Sequence, residues 1–146
     1  MIKHWLARRF GWQGFTDSDL NAIEDRLSGL SLKQALDAHQ AWKHRLQDEL
    51  TGQSPAPLVI SEVASDCNCE LGKWLQGQGK KEYRKLAEYS KAVKAHADFH
   101  ISAAEVLIEY QSGNTAGARQ LLKSRFREAS NLNQLELVRL FSAASH

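Results

Sequence analysis

The chain has 146 residues, 42% of them hydrophobic and 25% charged, which suits one globular domain with its own core and argues against disorder. A net charge of +2 is too small to advertise nucleic acid, and no apolar run approaches the roughly 20 residues that span a bilayer. Met1 to Phe10 lacks the apolar centre of a signal peptide, so the expected location is the cytoplasm.

Thr16 to Asp19 supplies capping residues ahead of Leu20, Ile23, Leu27 and Leu30, which recur at helical spacing and predict a helix within an N-terminal extension, residues 1–30. After Ser31 the series Leu32, Ala35, Leu36, His39, Trp42, Leu46, Leu50 continues at intervals of three and four until Thr51-Gly52 ends it. Ser54-Pro55-Ala56-Pro57 reads as a loop, because proline lacks the amide donor and restricts its predecessor. Ser65 or Asp66 can cap a short helix carrying Cys69, Leu71, Trp74 and Leu75, which Gly77 and Gly79 break.

Lys80 opens the longest predicted helix, with Leu86, Val93, Ala97, His100, Ala104 and Leu107 on one face. Its cations Lys80, Lys81, Arg84, Lys85, Lys91 and Lys94 read as a solvated face. Gly113-Asn114 turns the chain, and residues 115–143 form the C-terminal helix, with Ser130-Asn131 as its expected interruption. No strand pattern or internal repeat is evident. Short connections make helical neighbours antiparallel, so the expected architecture is all-α: a single domain over residues 1–146, built as an antiparallel four-helix bundle with additional short helices.

Four residues in this framework are potential metal ligands: His39, Cys69, His96 and His100. On a helix the i, i+4 spacing of the last two sets both imidazoles on one face, within reach of one ion. Imidazole and thiolate are ligands zinc favours, and one Cys with three His closes a tetrahedron. Each also has a plainer reading, since a lone histidine on an apolar stripe is usually a hydrogen-bonded core residue. In the first turn of its helix Cys69 meets the positive end of the macrodipole, which favours the thiolate.

Cys67 lies two positions away, too close for an unstrained disulfide, which fits a reducing compartment. It could still act as a resolving thiol after oxidation of Cys69, or stand in for Cys69 as ligand. Trp42 and Trp74 are expected to wall the site from water, Gly72 to permit close helix approach, and His4, His44 and His146 to lie at the surface. Rival metal chemistries lack their residues. Ala97 follows His96 where a zinc protease needs Glu, and Val93 and Ala97 stand where a di-iron carboxylate bundle needs Glu. A hemerythrin-like oxygen carrier stays as a weak rival, since His96-x-x-x-His100 resembles one of its elements while its His-x-x-x-Glu is missing: Lys43 follows His39 at four and Asp48 follows His44. No phosphate loop or nucleophile, base and orienter set appears, so no enzymatic activity is expected.

Read with their neighbours, these residues form three motifs: Ala38-His39-Gln40-Ala41-Trp42, Cys69-Glu70-Leu71-Gly72-Lys73-Trp74 and Ala95-His96-Ala97-Asp98-Phe99-His100. Together, over residues 31–110, they resemble the chemoreceptor zinc-binding (CZB) domain, with the motifs in the family's order. The resemblance implies Zn2+ as cofactor and His39, Cys69, His96 and His100 as its ligands. It also implies a sensory role, responding to zinc or to oxidants such as hypochlorous acid at the zinc-bound cysteine, and pairing as a homodimer. Receptors and diguanylate cyclases carry this domain, yet these 146 residues hold neither a methyl-accepting hairpin nor a cyclase active site. Output is therefore expected through a signalling protein partner of the chemotaxis or cyclic-di-GMP pathways, engaged by residues 115–143 or by the amphipathic start Met1 to Trp12. The alternative is a helical adaptor whose zinc is purely structural.

Overall fold

The computed structural model describes residues 26–145, and these begin with a hairpin where a helix was expected. Strands β1 (Arg26–Leu27) and β2 (Leu30–Ser31) pair antiparallel, Leu27 opposite Leu30. Ser28 and Gly29 both have positive φ, 49° and 90°, the left-handed pair that a two-residue hairpin turn demands and a helix cannot contain. Helical spacing of leucines could not reveal this, because Leu27 and Leu30 are buried equally well as neighbours across a ladder. The expected helix starting at Thr16, and the amphipathic start Met1 to Trp12, lie outside the described residues.

Helix α1 (Leu32–Leu50) follows as anticipated: the Ser31 hydroxyl accepts from the Gln34 amide at its start, and Thr51 closes its end. A short helix not foreseen in the sequence, α2 (Ile60–Ala64), follows the proline loop and buries Val63. Helix α3 (Glu70–Gln76) begins later than expected. Its cap is Cys69 itself, whose sulfur accepts the Gly72 amide at 3.3 Å, in place of Ser65 or Asp66.

The long helix predicted from Lys80 is two helices, α4 (Gln78–Tyr83) and α5 (Ala87–Gln111). Leu86 is extended, with φ −80° and ψ 135°, and packs among the apolar residues at the hairpin end, an anchor that outweighs helical continuity. The six cations spread over α4, the intervening turn and α5, all exposed. The last segment also divides, at Ser124 rather than Ser130, into α6 (Thr115–Lys123) and α7 (Arg125–Ala144). Ser130 is fully buried within a continuous α7.

The described residues are thus all-α apart from the hairpin. Helix α5 is central: α2, α6 and α7 pack along it. Helix α7 runs antiparallel to it, with Phe126 on Phe99 and Arg125 paired to Glu105 at 2.7 Å near one end, and Phe141 beside Tyr89 and Trp74 at the other. Two apolar clusters result. One, at the hairpin end, joins Leu30, Leu36, Trp74, Leu75, Tyr89 and Phe141; the other joins Leu46, Leu50, Val63, Phe99, Leu107 and Phe126. No helix among the described residues is long and apolar enough to cross a membrane.

Candidate metal centre

Two helices and one helix cap meet where the two apolar clusters adjoin. Helix α1 contributes His39, the cap of α3 contributes Cys69, and α5 contributes His96 and His100 one turn apart. Their donor atoms all lie within 4.8 Å of one another. Cys69 Sγ is 3.2 Å from His96 Nε2 and 3.6 Å from His100 Nε2, and the two Nε2 atoms are 3.1 Å apart. All four residues singled out in the sequence are therefore brought together, while Cys67 stays outside as an exposed thiol and His44 is exposed. His4 and His146 lie outside the described residues.

Backbone carbonyls orient the rings. His39 Nδ1–H donates to the Ala35 carbonyl at 2.8 Å, one turn earlier in α1, and His100 Nδ1–H donates to the Val63 carbonyl of α2 at 2.9 Å. Each bond assigns the proton to Nδ1 and leaves an Nε2 lone pair facing the cluster. Phe99 packs edge-on against His39 and His100, with centroids at 5.0 and 5.3 Å. Trp42 lies 6.3 Å from His100 and carries Arg45 over its outer face at 4.3 Å. Trp74 packs with Tyr83 and Phe141 in the hairpin-end cluster, against which Cys69 also rests, and its Nε1–H donates to the Ser28 carbonyl at 3.1 Å.

Electrostatically the site excludes protons. Burial lowers His96 to about 2, helped by its histidine neighbours, and lowers His39 to about 4 against the opposing pull of the Ala35 carbonyl. His100 is also lowered by burial, in part offset by Val63 and Asp66. All three rings are therefore neutral near pH 7, the form that ligates metals. The expected ionisation of Cys69 by its helix is reversed: burial raises the thiol more than the amides of Gly72 and Leu71 lower it. Holding a thiolate there needs a cation.

Do these donors fit a zinc ion? With Zn–N near 2.0–2.1 Å and Zn–S near 2.3 Å, a tetrahedron has N···N edges of about 3.3 Å and S···N edges of about 3.6 Å. The three separations among Cys69, His96 and His100 fall close to these edges, and the whole set, His39 included, lies within 4.8 Å. His39 Nε2 is buried with no hydrogen-bond partner, the kind of orphan a ligand removes. The donor set contains three imidazoles, one thiol and no carboxylate, which suits zinc over magnesium or calcium.

Residues 39–107 match the family model described as the chemoreceptor zinc-binding domain. The chain carries a CZB domain. The match opens on His39 and closes on Leu107, so all four clustered residues fall inside it. No curated protein and no solved structure matches the chain. Family and donor geometry together suggest zinc binding.

Of the residues that shape this CZB site, sequence reasoning missed three. The Val63 carbonyl comes from a helix with no clear sequence signal. Phe99 was legible in principle, three positions after His96 within the quoted motif. Ala35, four before His39, follows from helical geometry once His39 is taken as a ligand. Gly72 permits a close approach, but of the backbone leading into α3 rather than of another helix: a Cβ there would meet the Asp66 carbonyl oxygen at 1.7 Å.

Proposed function

We propose that this CZB domain is a regulatory zinc-binding module, without enzymatic activity, in which His39, Cys69, His96 and His100 bind Zn2+ and Cys69 responds to oxidants of the hypochlorous acid type. The observation that carries the reading is the unpartnered, buried Nε2 of His39 among three other convergent donors. Bound zinc would supply the positive charge that keeps the Cys69 sulfur ionised and nucleophilic. Cys69 is also the only member of the set with solvent access. Its thiolate attacks hypochlorous acid, giving a sulfenic acid with loss of chloride, and the oxidised sulfur is a poorer metal donor.

The consequence travels through the fold because Cys69 has two jobs. Its sulfur caps α3, and α3 carries Trp74, which holds the hairpin through the Ser28 carbonyl. Loosening Cys69 therefore loosens α3 and the hairpin together. This supports an output through a signalling protein partner of the chemotaxis or cyclic-di-GMP type. We read the protein as a cytoplasmic homodimer and its fold as an antiparallel four-helix bundle in which α1, α5 and α7 are three of the helices. A second reading, a structural zinc in a helical adaptor, is favoured by the near-complete burial of the three histidines and by the ligands' origin in three distant segments.

Zinc content per chain, measured by elemental analysis before and after one equivalent of hypochlorous acid, separates the readings. One zinc in the wild type, released by oxidant and reduced in Cys69→Ala, is the expected result. A zinc that oxidant does not release points to the adaptor. No metal under any loading condition sinks the ligand assignment.

A further inference from the structure

Helix α2 cannot hold its own place. It has five residues, its cap Val59 makes no side-chain bond, and Val63 is its one buried residue. Isolated helices shorter than roughly 12–15 residues are marginal in water, so the position of α2 comes from what it is tied to. Yet its Val63 carbonyl stands 2.9 Å from His100 Nδ1, the bond that turns the ring's Nε2 toward the other donors. The ties lie just ahead of α2, at Leu58, which is committed through every group it has. Its side chain is buried in the cluster of Leu46, Leu50 and Val63. Its N–H donates at 3.3 Å to Glu49 Oε1 in the last turn of α1, and its carbonyl accepts at 2.9 Å from Nε2 of Gln111, the last residue of α5. Glu49 is 6% exposed and its Oε2 has no partner. Burying a carboxylate for a single amide bond costs free energy, so apolar packing does not account for that residue. The ends of the two helices that carry the histidines thus grip one residue, from which the chain runs through α2 to Val63 and on to Cys69.

We propose that Glu49 and Gln111 are positioning residues for the metal centre: their clasp on Leu58 sets where α2 lies, and so how the Val63 carbonyl holds His100. The proposal rests on the zinc reading above and adds to it two residues that are not ligands. With the clasp closed, His100 keeps its proton on Nδ1 and presents Nε2 to Cys69 and His96. With it open, the Val63 carbonyl leaves the ring, the proton is no longer confined to Nδ1, and His100 becomes a poorer donor.

The test uses the full chain as wild type, Glu49→Leu, Gln111→Leu, the double variant, and Glu49→Gln, which keeps an oxygen to accept from Leu58. Leu121→Ala, a partly buried position against the same apolar cluster, controls for lost stability. Competition titration of zinc chloride against a chromogenic chelator gives the affinity, and nitrogen NMR of the imidazoles in the metal-free protein at neutral pH gives the tautomer of His100. The double variant should still bind one zinc, with affinity lowered by about tenfold, and should turn the Nδ1–H form of His100 into a mixture of tautomers. Each Leu substitution alone should give a smaller loss, Glu49→Gln should stay near wild type, and Leu121→Ala should change neither readout. Wild-type affinity and tautomer in the double variant would overturn the clasp and leave the zinc site standing. Lower affinity with an unchanged tautomer would overturn it too, since the effect would not run through His100, as would equal losses in Leu121→Ala. A wild type that takes up no zinc would overturn both readings.

Discussion

The apolar cluster at the hairpin end and the His-Cys cluster beside it are buried to a similar depth, but they differ in what they require. In the first, Leu36, Leu75, Leu137, Val138, Leu140 and Phe141 are at most 1% exposed and gain stability simply by leaving water. In the second, three neutral imidazoles and a thiol are held together with one nitrogen unpartnered, an arrangement that costs free energy until something binds. The difference locates function: a region complete in itself sets the fold, and a region left incomplete awaits its ligand.

The largest effect that separates the two is expected from Phe141→Ala. Removing a fully buried ring should cost about 3–5 kcal/mol by transfer and cavity terms, while zinc stoichiometry stays at the wild-type value. Denaturant titration with and without zinc checks it, and loss of metal with the ring would show that the regions are not separable.

Acid should act on the other side of the comparison. For the metal-free protein, His39 has an ordinary pKa of 6.5 when unfolded and about 4 when folded. Between those values the unfolded chain holds a proton that the folded one lacks, so stability is complete above pH 6.5 and declines as pH falls toward 4. The decline from His39 alone is about 3 kcal/mol, and His96, lowered to about 2, extends it. Denaturation midpoints at several pH values should follow this slope, and His39→Leu should make it shallower while the part due to His96 and His100 remains. A wild-type midpoint independent of pH would show that the rings are not buried neutral.

Gly72→Ala tests how the segment before α3 is seated. With the new methyl 1.7 Å from the Asp66 oxygen, backbone must shift, and a cost of about 1–3 kcal/mol is expected. Zinc affinity should fall as well, because the shift moves Cys69. Unchanged stability and affinity would show that the segment yields freely.

How far could this be read from the chain alone? Helix α1 was legible to its ends because Ser31, the stripe from Leu32 to Leu50 and Thr51-Gly52 all agree locally. The meeting of His39, Cys69, His96 and His100 was foreshadowed by motif resemblance, since i, i+4 spacing joins only the last two. What failed was punctuation set by tertiary contacts. Leu86 breaks a helix to reach the hairpin-end cluster, and Ser28-Gly29 turns a strand ladder out of leucines that also fit a helix. At Cys69 the error was one of competing magnitudes, with burial outweighing the helix terminus.

Cys69→Ala gives the smallest effect and the sharpest division between metal and fold. Without metal, the substitution removes the sulfur that accepts the Gly72 amide and so uncaps α3, for an expected cost of about 1 kcal/mol. Cys69→Ser supplies another capping oxygen and should recover most of that loss. With zinc present, Ser should behave much more like Ala than like Cys, since a hydroxyl lacks the soft anionic donor. Thermal melts of the three proteins, each with chelator and with zinc, therefore form a cycle: the chelator column reads the cap, and the difference between columns reads the ligand. If Ser matched Cys in both columns, the sulfur would be only a cap, and the incomplete region would find its fourth donor elsewhere.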